Sequence, residues 1–356
     1  MPKKAPCLKI PKKQGQKIIA TISRLGFFDK SLKIERDQDS IYVPLARLPD
    51  DDEFAALKRE VSELHLEEHL FSEKHLAAET LAQSLEGKLP LNLLPSLPQA
   101  LDIIGDIAIV EISVELQQFH TIIGEAILQT HRNVKTVLAK AGAISGTYRV
   151  RDLQFLAGEN KTATVHKEFG CKYNVDVAKA YFSPRLSHEH MRVASLVQPE
   201  EVVVDLFAGV GPFSVLIGKI QPRAKVYAVD LNPDAVELLK INVRVNRVEG
   251  KVFPILGDAR EISESTLKGK ADRVIMNLPE TAIDFVDAAC QTVKPEGGIV
   301  HFYGFVRHPD STENLKQRFS KAVQSAGRRV ETFVCDRTVR ETAPYEAQIV
   351  LDVKII

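Results

Sequence analysis

Runs of aliphatic residues alternate with helical patterns through the second half of the chain. The most informative stretch is 201–214, Glu-Val-Val-Val-Asp-Leu-Phe-Ala-Gly-Val-Gly-Pro-Phe-Ser. Val202, Val203 and Val204 form an unbroken β-branched run, which predicts a strand buried on both faces of a parallel sheet. Asp205 ends the run. Gly209 and Gly211 then let the backbone turn tightly and approach a ligand with no side chain in the way. Phe213, Val215, Leu216 and Ile217 open a helix. Strand, glycine loop and helix begin a doubly wound nucleotide-binding unit, whose ligands sit at the carboxyl ends of the strands. Further strands are predicted over 225–229, 252–256, 273–276 and 298–305, and helices over 233–246, 283–293 and 312–327. This alternation predicts a parallel sheet. Residues 329–337 and 347–355 close it as an antiparallel pair.

Upstream the pattern changes. Residues 8–10 predict a short strand and 15–25 a helix with Ile18, Ile19, Ile22 and Leu25 inward. Residues 32–36 and 40–44 predict a hairpin, so 1–49 form a small α+β module. Residues 50–85 are acidic and predict a helical connector. Pro90, Pro95 and Pro98 mark a boundary. Beyond it the pattern predicts one strand over 100–112, a helix over 117–129 and a strand over 136–138. A glycine-rich turn at 142–146 follows. Residues 147–153, 163–168, 171–176 and 179–182 then predict successive, largely antiparallel strands. This is a second α+β domain. Ser187 or His188 is expected to cap a helix that ends at 197.

The chain has 356 residues and a formal net charge of zero, but the charge is unevenly spread. Residues 1–50 carry eleven Lys and Arg against five Asp and Glu, 51–100 carry four against ten, and 131–200 carry eleven against six. The two basic regions point to nucleic acid. The four cysteines, Cys7, Cys171, Cys290 and Cys335, are far apart and show no metal spacing, so reduced thiols in the cytoplasm are expected. No signal peptide is visible. No apolar run approaches the ~18 residues of a membrane span. His65 and His69, one turn apart on the expected connector helix, suit zinc in spacing. No third ligand is evident, and solvated histidines and no metal are expected.

A dinucleotide fingerprint places a third glycine where this chain has Ser214. Pro212 removes an N–H that a pyrophosphate would want. Asp205 adds negative charge beside the loop. These features suit a ligand with a cationic end and no phosphates, as S-adenosylmethionine is. Asp230 ends the second strand, 21 residues after Gly209, where a carboxylate accepts from both ribose hydroxyls. Asp258 ends the third and is placed to accept from the adenine amino group. Asp205 is expected at the methionine end or fixing the loop. Asn277-Leu278-Pro279-Glu280 follows the fourth strand, where the methyl group must lie. Asn277 offers in-plane polar partners for a base and Pro279 holds that loop rigid.

Arg149-Val150-Arg151, Leu156 to Asn160, His166-Lys167-Glu168, Tyr181 to Leu186, Asp205 to Ser214 and the Asn-Leu-Pro loop together resemble the archaeal and eukaryotic class of tRNA (guanine-37-N1) methyltransferases. The resemblance covers essentially the whole chain. It implies an α/β class I (Rossmann-like) S-adenosylmethionine-dependent methyltransferase domain, preceded by a small α+β N-terminal domain and an α+β middle domain. The corresponding boundaries are 1–85, 86–180 and 181–356. It implies methyl transfer to N1 of guanine 37 in tRNA, by a cytoplasmic monomer. Aminocarboxypropyl transfer to a wyosine precursor, or a bifunctional wyosine-pathway methyltransferase, is the alternative. By resemblance, Arg149 binds the target guanine, Glu189 assists removal of the N1 proton, and Asn277 and Pro279 position the base. Asp205, Phe207, Gly209, Gly211, Asp230, Asp258 and Asn277 are the expected cofactor residues. Tyr181, Arg185, Arg151, Lys12 and Lys13 are the expected tRNA contacts. Two departures stand out: Glu280 where a basic or aromatic residue is usual, and His190 where an arginine is expected. A noncatalytic tRNA-binding protein and a small-molecule methyltransferase are further readings. An intact Asp230, Glu189 and Asn277 oppose the first, and the basic regions oppose the second.

Overall fold

The computed structural model describes residues 3–61, 63–72, 80–142, 146, 148 and 151–356. The chain forms two compact units, residues 1–83 and 84–356.

The first unit is a four-stranded antiparallel sheet in the order β2-β3-β1-β4. Its strands are β1 (Lys3–Pro11), β2 (Glu35–Arg36), β3 (Ser40–Pro44) and β4 (His65–Phe71). Helix α1 (Gly15–Arg24) buries Ile18 and Ile22 against Leu8, Ile10 and Val43. Helix α2 (Asp51–Glu60) begins with a reciprocal capping box between Asp50 and Glu53. Among the described residues of the acidic stretch, 51–60 and 81–85 are helical. Residues 65–71 are a strand instead, paired with β1 from Lys3↔Phe71 to Lys9↔His65. His65 and His69 therefore lie on a strand and not one helical turn apart. His69 stacks on Tyr42 at 4.1 Å. Among the described residues no cluster of His, Cys, Asp or Glu suits a metal, and no helix is long and apolar enough to cross a membrane.

The second unit opens with α3 (Leu81–Leu85) at its border and then a four-stranded sheet, β5 (Leu101–Ile104), β6 (Ile107–Val110), β7 (Thr136–Lys140) and β8 (Leu153–Gly158), in that order. The strand expected over 100–112 is a hairpin. Gly105, at φ +58, turns the chain between its two halves. Helix α4 (His120–Thr130) carries the chain from β6 to its parallel neighbour β7. The glycine-rich turn and the strand expected over 147–153 lie largely outside the described residues.

The pair β9 (Ala163–Glu168) and β10 (Cys171–Asp176) is an antiparallel hairpin turned by Phe169 and Gly170, both at positive φ. The strand expected over 179–182 is absent. Asp176 O accepts from both Lys179 N and Ala180 N, curling the chain into turns. Helix α5 (Ser187–Leu196) follows a 3-10 turn over Pro184–Leu186. Neither Ser187 nor His188 caps it, because the 3-10 turn runs straight in and leaves Leu186 at the cap position with no side-chain bond.

The main sheet has seven strands in the order β13-β12-β11-β14-β15-β17-β16. The parallel strands are β11 (Val202–Asp205), β12 (Lys225–Asp230), β13 (Val252–Leu256), β14 (Arg273–Met276) and β15 (Gly298–Arg307). The long hairpin β16 (Val330–Ala343) and β17 (Glu346–Ile355) completes the sheet, with β17 antiparallel to both neighbours. Helices α6 (Pro212–Ile220), α7 (Pro233–Val245), α8 (Ala259–Ser265), α9 (Val286–Thr292) and α10 (Thr312–Ser325) cover the faces. Val203, Val226 and Ile275 belong to one buried layer, and Val204, Val274 and Val300 to another. The β-branched strands therefore bury both faces, as their composition requires.

One contact fixes the hairpin β9–β10 against this domain. Asn242 and Asn246 on α7 treat the edge of β10 as a further strand would. Asn246 accepts from Lys172 N at 2.8 Å and donates to Lys172 O at 2.7 Å. Asn242 accepts from Asn174 N at 2.6 Å and donates to Asn174 O at 3.1 Å. An edge strand is closed by two side-chain amides.

Candidate active site

Strand β11 has β12 on one side and β14 on the other, so the chain reverses its winding there. Loops leaving β11 and β14 must part, which opens a crevice at their carboxyl ends. A cleft of about 680 Å³ occupies that place, a size suited to a nucleoside-sized ligand.

The glycine loop forms its floor. Gly211 sits at φ +89 just before α6, and a Cβ there would stand 2.3 Å from Leu239 Cδ1. Only glycine meets both demands. Gly211 itself is not on the cleft wall; its role is to shape the turn. Gly209, at φ +55, is on the wall, and its N–H donates to Asp230 Oδ2 at 2.6 Å. The same carboxylate accepts from Asn232 N at 2.8 Å. Asp230 thus ties the ends of β11 and β12 together while facing the cleft. The N-cap of α7 is Asn232, which leaves Asp230 available for a ligand. Burial raises the Asp230 carboxyl above its ordinary value, against the pull of the Asn232 and Gly209 N–H groups.

Asp205 lies elsewhere. It is wholly buried beneath the loop and absent from the cleft wall, and its Oδ2 accepts from Ser214 Oγ at 2.8 Å. Burial pushes its carboxyl up to about 7. The structure therefore gives Asp205 the loop-fixing task rather than a ligand contact. Asp258 lines the cleft and caps α8 through Arg260 N at 2.8 Å. Phe207 lines the cleft edge-on to Phe285, 5.1 Å between centroids.

Asn277 and Pro279 stand on the wall at the end of β14. Gln348 of β17 reaches Asn277 Oδ1 at 3.4 Å, and Arg340 of β16 holds Gln348 Oε1 at 3.0 Å and Ser183 Oγ at 3.2 Å. Arg340 and Gln348 escaped the sequence reading because they lie in the closing hairpin, far along the chain from the other site residues. Tyr181, Arg185 and Arg151 also line the cleft. Arg185 is held by Asp102 at 2.6 Å. Arg149 lies outside the described residues. Lys12 and Lys13 belong to the first unit, where Lys12 Nζ donates to Gln38 O at 2.6 Å.

Glu189 is placed differently from expectation. It is 2% exposed and sits behind the cleft wall, which its neighbour His190 helps to form. Arg192 Nε donates to both its oxygens at 3.1 Å and Arg192 Nη2 to Oε1 at 2.7 Å. Tyr303 donates its hydroxyl to Oε1 at 2.7 Å, and Arg337 binds Oε2. Burial raises the carboxyl, but the hydrogen bonds from Arg192 and Tyr303 outweigh it and hold Glu189 below the ordinary range. Arg192 continues to Asp352 at 2.5 Å, Asp352 to His301 Nδ1 at 2.6 Å, and His301 Nε2 to Arg273 at 2.8 Å. Arg273 ends the chain on Glu201 at 3.0 Å. A carboxylate can only accept, and a guanidinium can only donate. His301 is therefore the neutral tautomer with its hydrogen on Nδ1.

Residues 164–331 match the TRM5/TYW2 methyltransferase domain, 64–162 the TYW2 N-terminal domain and 7–53 the tRNA methyltransferase 5 N-terminal domain. The chain is 39% identical over 98% of both lengths to the protein of Pyrococcus abyssi named tRNA (guanine(37)-N(1))-methyltransferase Trm5b. It is 32% identical to the tRNA(Phe) (4-demethylwyosine(37)-C(7)) aminocarboxypropyltransferase of Pyrococcus horikoshii, over 77% of this chain and 96% of that protein. Among solved structures, the complex of aTrm5 with tRNALeu aligns at a TM-score of 0.77 and 35% identity, over 98% of this chain and 99% of that one. With its glycine loop, its two acids at strand ends and its full-length match, the chain belongs to the TRM5/TYW2 methyltransferase family.

Proposed function

We infer that this chain transfers a methyl group from S-adenosylmethionine to N1 of guanine 37 in tRNA. The observation that carries this reading is end-to-end similarity to a guanine-37 methyltransferase over a cleft with the right parts. The aminocarboxypropyltransferase relative matches a smaller share of the chain, so the alternative transfer is not favoured.

The residues present fit the cofactor. Asp230 is a half-buried carboxylate on the wall, already held by two backbone donors, and accepts from a ribose diol. The glycine loop offers a bare backbone beside it. Asp258 stands across from it at the next strand end. When bound, the cofactor supplies an electrophilic methyl on a sulfonium. The protein's part is to orient guanine, take its N1 proton and exclude water. Asn277 and Pro279 frame the base, Arg340 and Gln348 brace Asn277, and Tyr181 and Arg185 contact the RNA. Arg149 is the partner proposed for O6, where negative charge collects once N1 loses its proton. Glu189 is the proposed proton acceptor. In the arrangement seen, that role requires Arg337 to leave Oε2; the Arg337 side chain is 40% exposed and so has a route to solvent and to RNA phosphate.

Labelled methyl transfer to bulk tRNA, compared with small acceptors and with a tRNA transcript lacking guanine 37, tests the reading. Label in small acceptors, or equal label in the transcript without guanine 37, would overturn it. Asp230→Ala is expected to weaken cofactor binding by about 1.5–3 kcal/mol, read by calorimetry, since a charge-assisted pair is removed. Unchanged affinity would remove Asp230 from the site. Removing the first unit, residues 1–83, is expected to weaken tRNA binding and flatten its salt dependence by about 0.9 for each phosphate no longer neutralised, with cofactor affinity untouched. The cut belongs after β4 because that strand is integral to the sheet. An unchanged salt slope would assign Lys12 and Lys13 to ordinary solvated surface.

A further inference from the structure

Adjacent residues of α5 face different neighbours. Glu189 turns towards Tyr303 and Arg337, while His190 forms part of the cleft wall. The His190 residue is 1% exposed, and its Nδ1 is 2.7 Å from Glu168 Oε1 on β9. Its ring stands edge-on to Phe213 at 4.6 Å. Phe213 is the second residue of α6, directly after the glycine loop. Among the described residues Nε2 has no hydrogen-bond partner. The groups facing the ring are Glu168 and His166 from β9, with Glu168 Oε2 buried, unbonded and 3.9 Å from His166 Nε2. From its own helix come Glu189 and Arg192, which are bonded to one another.

A ring nitrogen on a cleft wall with no partner among the described residues is open to a ligand. The cofactor's amino-acid arm ends in an ammonium and a carboxylate. Asp230 and Asp258 on the same wall are already assigned to the ribose and to the adenine end, so the arm must find other groups. The carboxylate needs a cation. Glu168 accepts from Nδ1–H and fixes the orientation of the ring. We propose that His190, oriented by Glu168, binds the carboxylate of the amino-acid arm of S-adenosylmethionine through Nε2–H. The inference rests on the cofactor reading above and adds a residue to it. It also gives the arm a tether on the α5–α6 side of the cleft, apart from the Asn277–Pro279 loop where the base is framed.

Glu168 occupies Nδ1–H, so Nε2 donates to a carboxylate only when it also carries a hydrogen. Calorimetry should compare S-adenosylmethionine with 5′-methylthioadenosine, which lacks the arm, on the full chain and on His190→Phe and Glu168→Gln. We expect His190→Phe to bind S-adenosylmethionine about 10- to 100-fold more weakly and 5′-methylthioadenosine within about 3-fold of normal, because one charge-assisted bond is removed. Glu168→Gln should show a smaller loss of the same selectivity. Equal loss for both ligands marks a structural role and overturns the proposal, as does no loss for either. Failure of the unsubstituted protein to bind either ligand would instead sink the underlying cofactor reading.

Discussion

Glu189→Gln is expected to slow single-turnover methylation of tRNA by at least about 10²-fold, the usual cost of losing a general base. Guanine N1 carries a proton at neutral pH, so its lone pair is not free to attack. Glutamine keeps the shape and the acceptor oxygen but cannot take the proton. Cofactor affinity should stay near normal, because Glu189 is not on the cleft wall. The pH profile adds a second reading. Arg192 and Tyr303 hold Glu189 below the ordinary carboxylate range in the free protein. Withdrawal of Arg337 on tRNA binding would raise its proton affinity when it is needed. The acid limb of the single-turnover rate should therefore lie above that of kcat/KM, since the first reports the complex and the second the free enzyme. Retention of most activity in Glu189→Gln would leave Glu189 as a structural partner of Arg192, and deprotonation would belong to water or to the RNA.

Asp352→Ala is expected to cost about 3–5 kcal/mol of stability, read from denaturant midpoints. The substitution strands Arg192 and His301, both of which it bonds. Asp352 is 2% exposed, so solvent does little to replace these bonds. Burial raises its carboxyl, but His301 and Arg192 overcome that and hold it well below 3.8. A group depressed on folding adds stability that is complete above its unfolded value and disappears as pH falls through the folded one. The unsubstituted protein should therefore lose stability below about pH 4, and Asp352→Ala should lose less over that span. Parallel acid curves for the two proteins would show that the chain from Glu201 to Glu189 is not acting as a unit.

The sequence made the parallel sheet and the glycine loop plain. Val202 to Val204 can only be a doubly buried strand, and Gly209, Gly211, Asp230 and the Asn277 loop follow at spacings set by the fold itself. Legibility failed where partners were distant. Residues 65–71 carry two glutamates and two histidines and look like a helix; they become a strand because β1, from Lys3↔Phe71 to Lys9↔His65, offers them backbone partners far upstream in the chain. Residues 179–182 have strand composition, yet the Asp176 carbonyl curls them. Glu189 is expected at the cleft from the family resemblance. Its burial comes from Tyr303 and Arg337, which meet it only once β15 and β16 are in place. The bracing of Asn277 by Gln348 was hidden for the same reason.

The pairing of β4 with β1 also bears on how this protein fails. The family match to the N-terminal domain stops at residue 53, before β4 begins. A fragment cut there keeps β1 but leaves its donors and acceptors bare from Lys3 to Lys9, a template on which a second copy can lay its own strand. In the intact protein the edge strand on that side is β4, whose Glu67 and Glu68 repel a like neighbour. Light scattering should find fragment 1–53 self-associating and fragment 1–83 dispersed. The acidic stretch that reads as a mere connector is then the part that keeps the first unit from seeding aggregates.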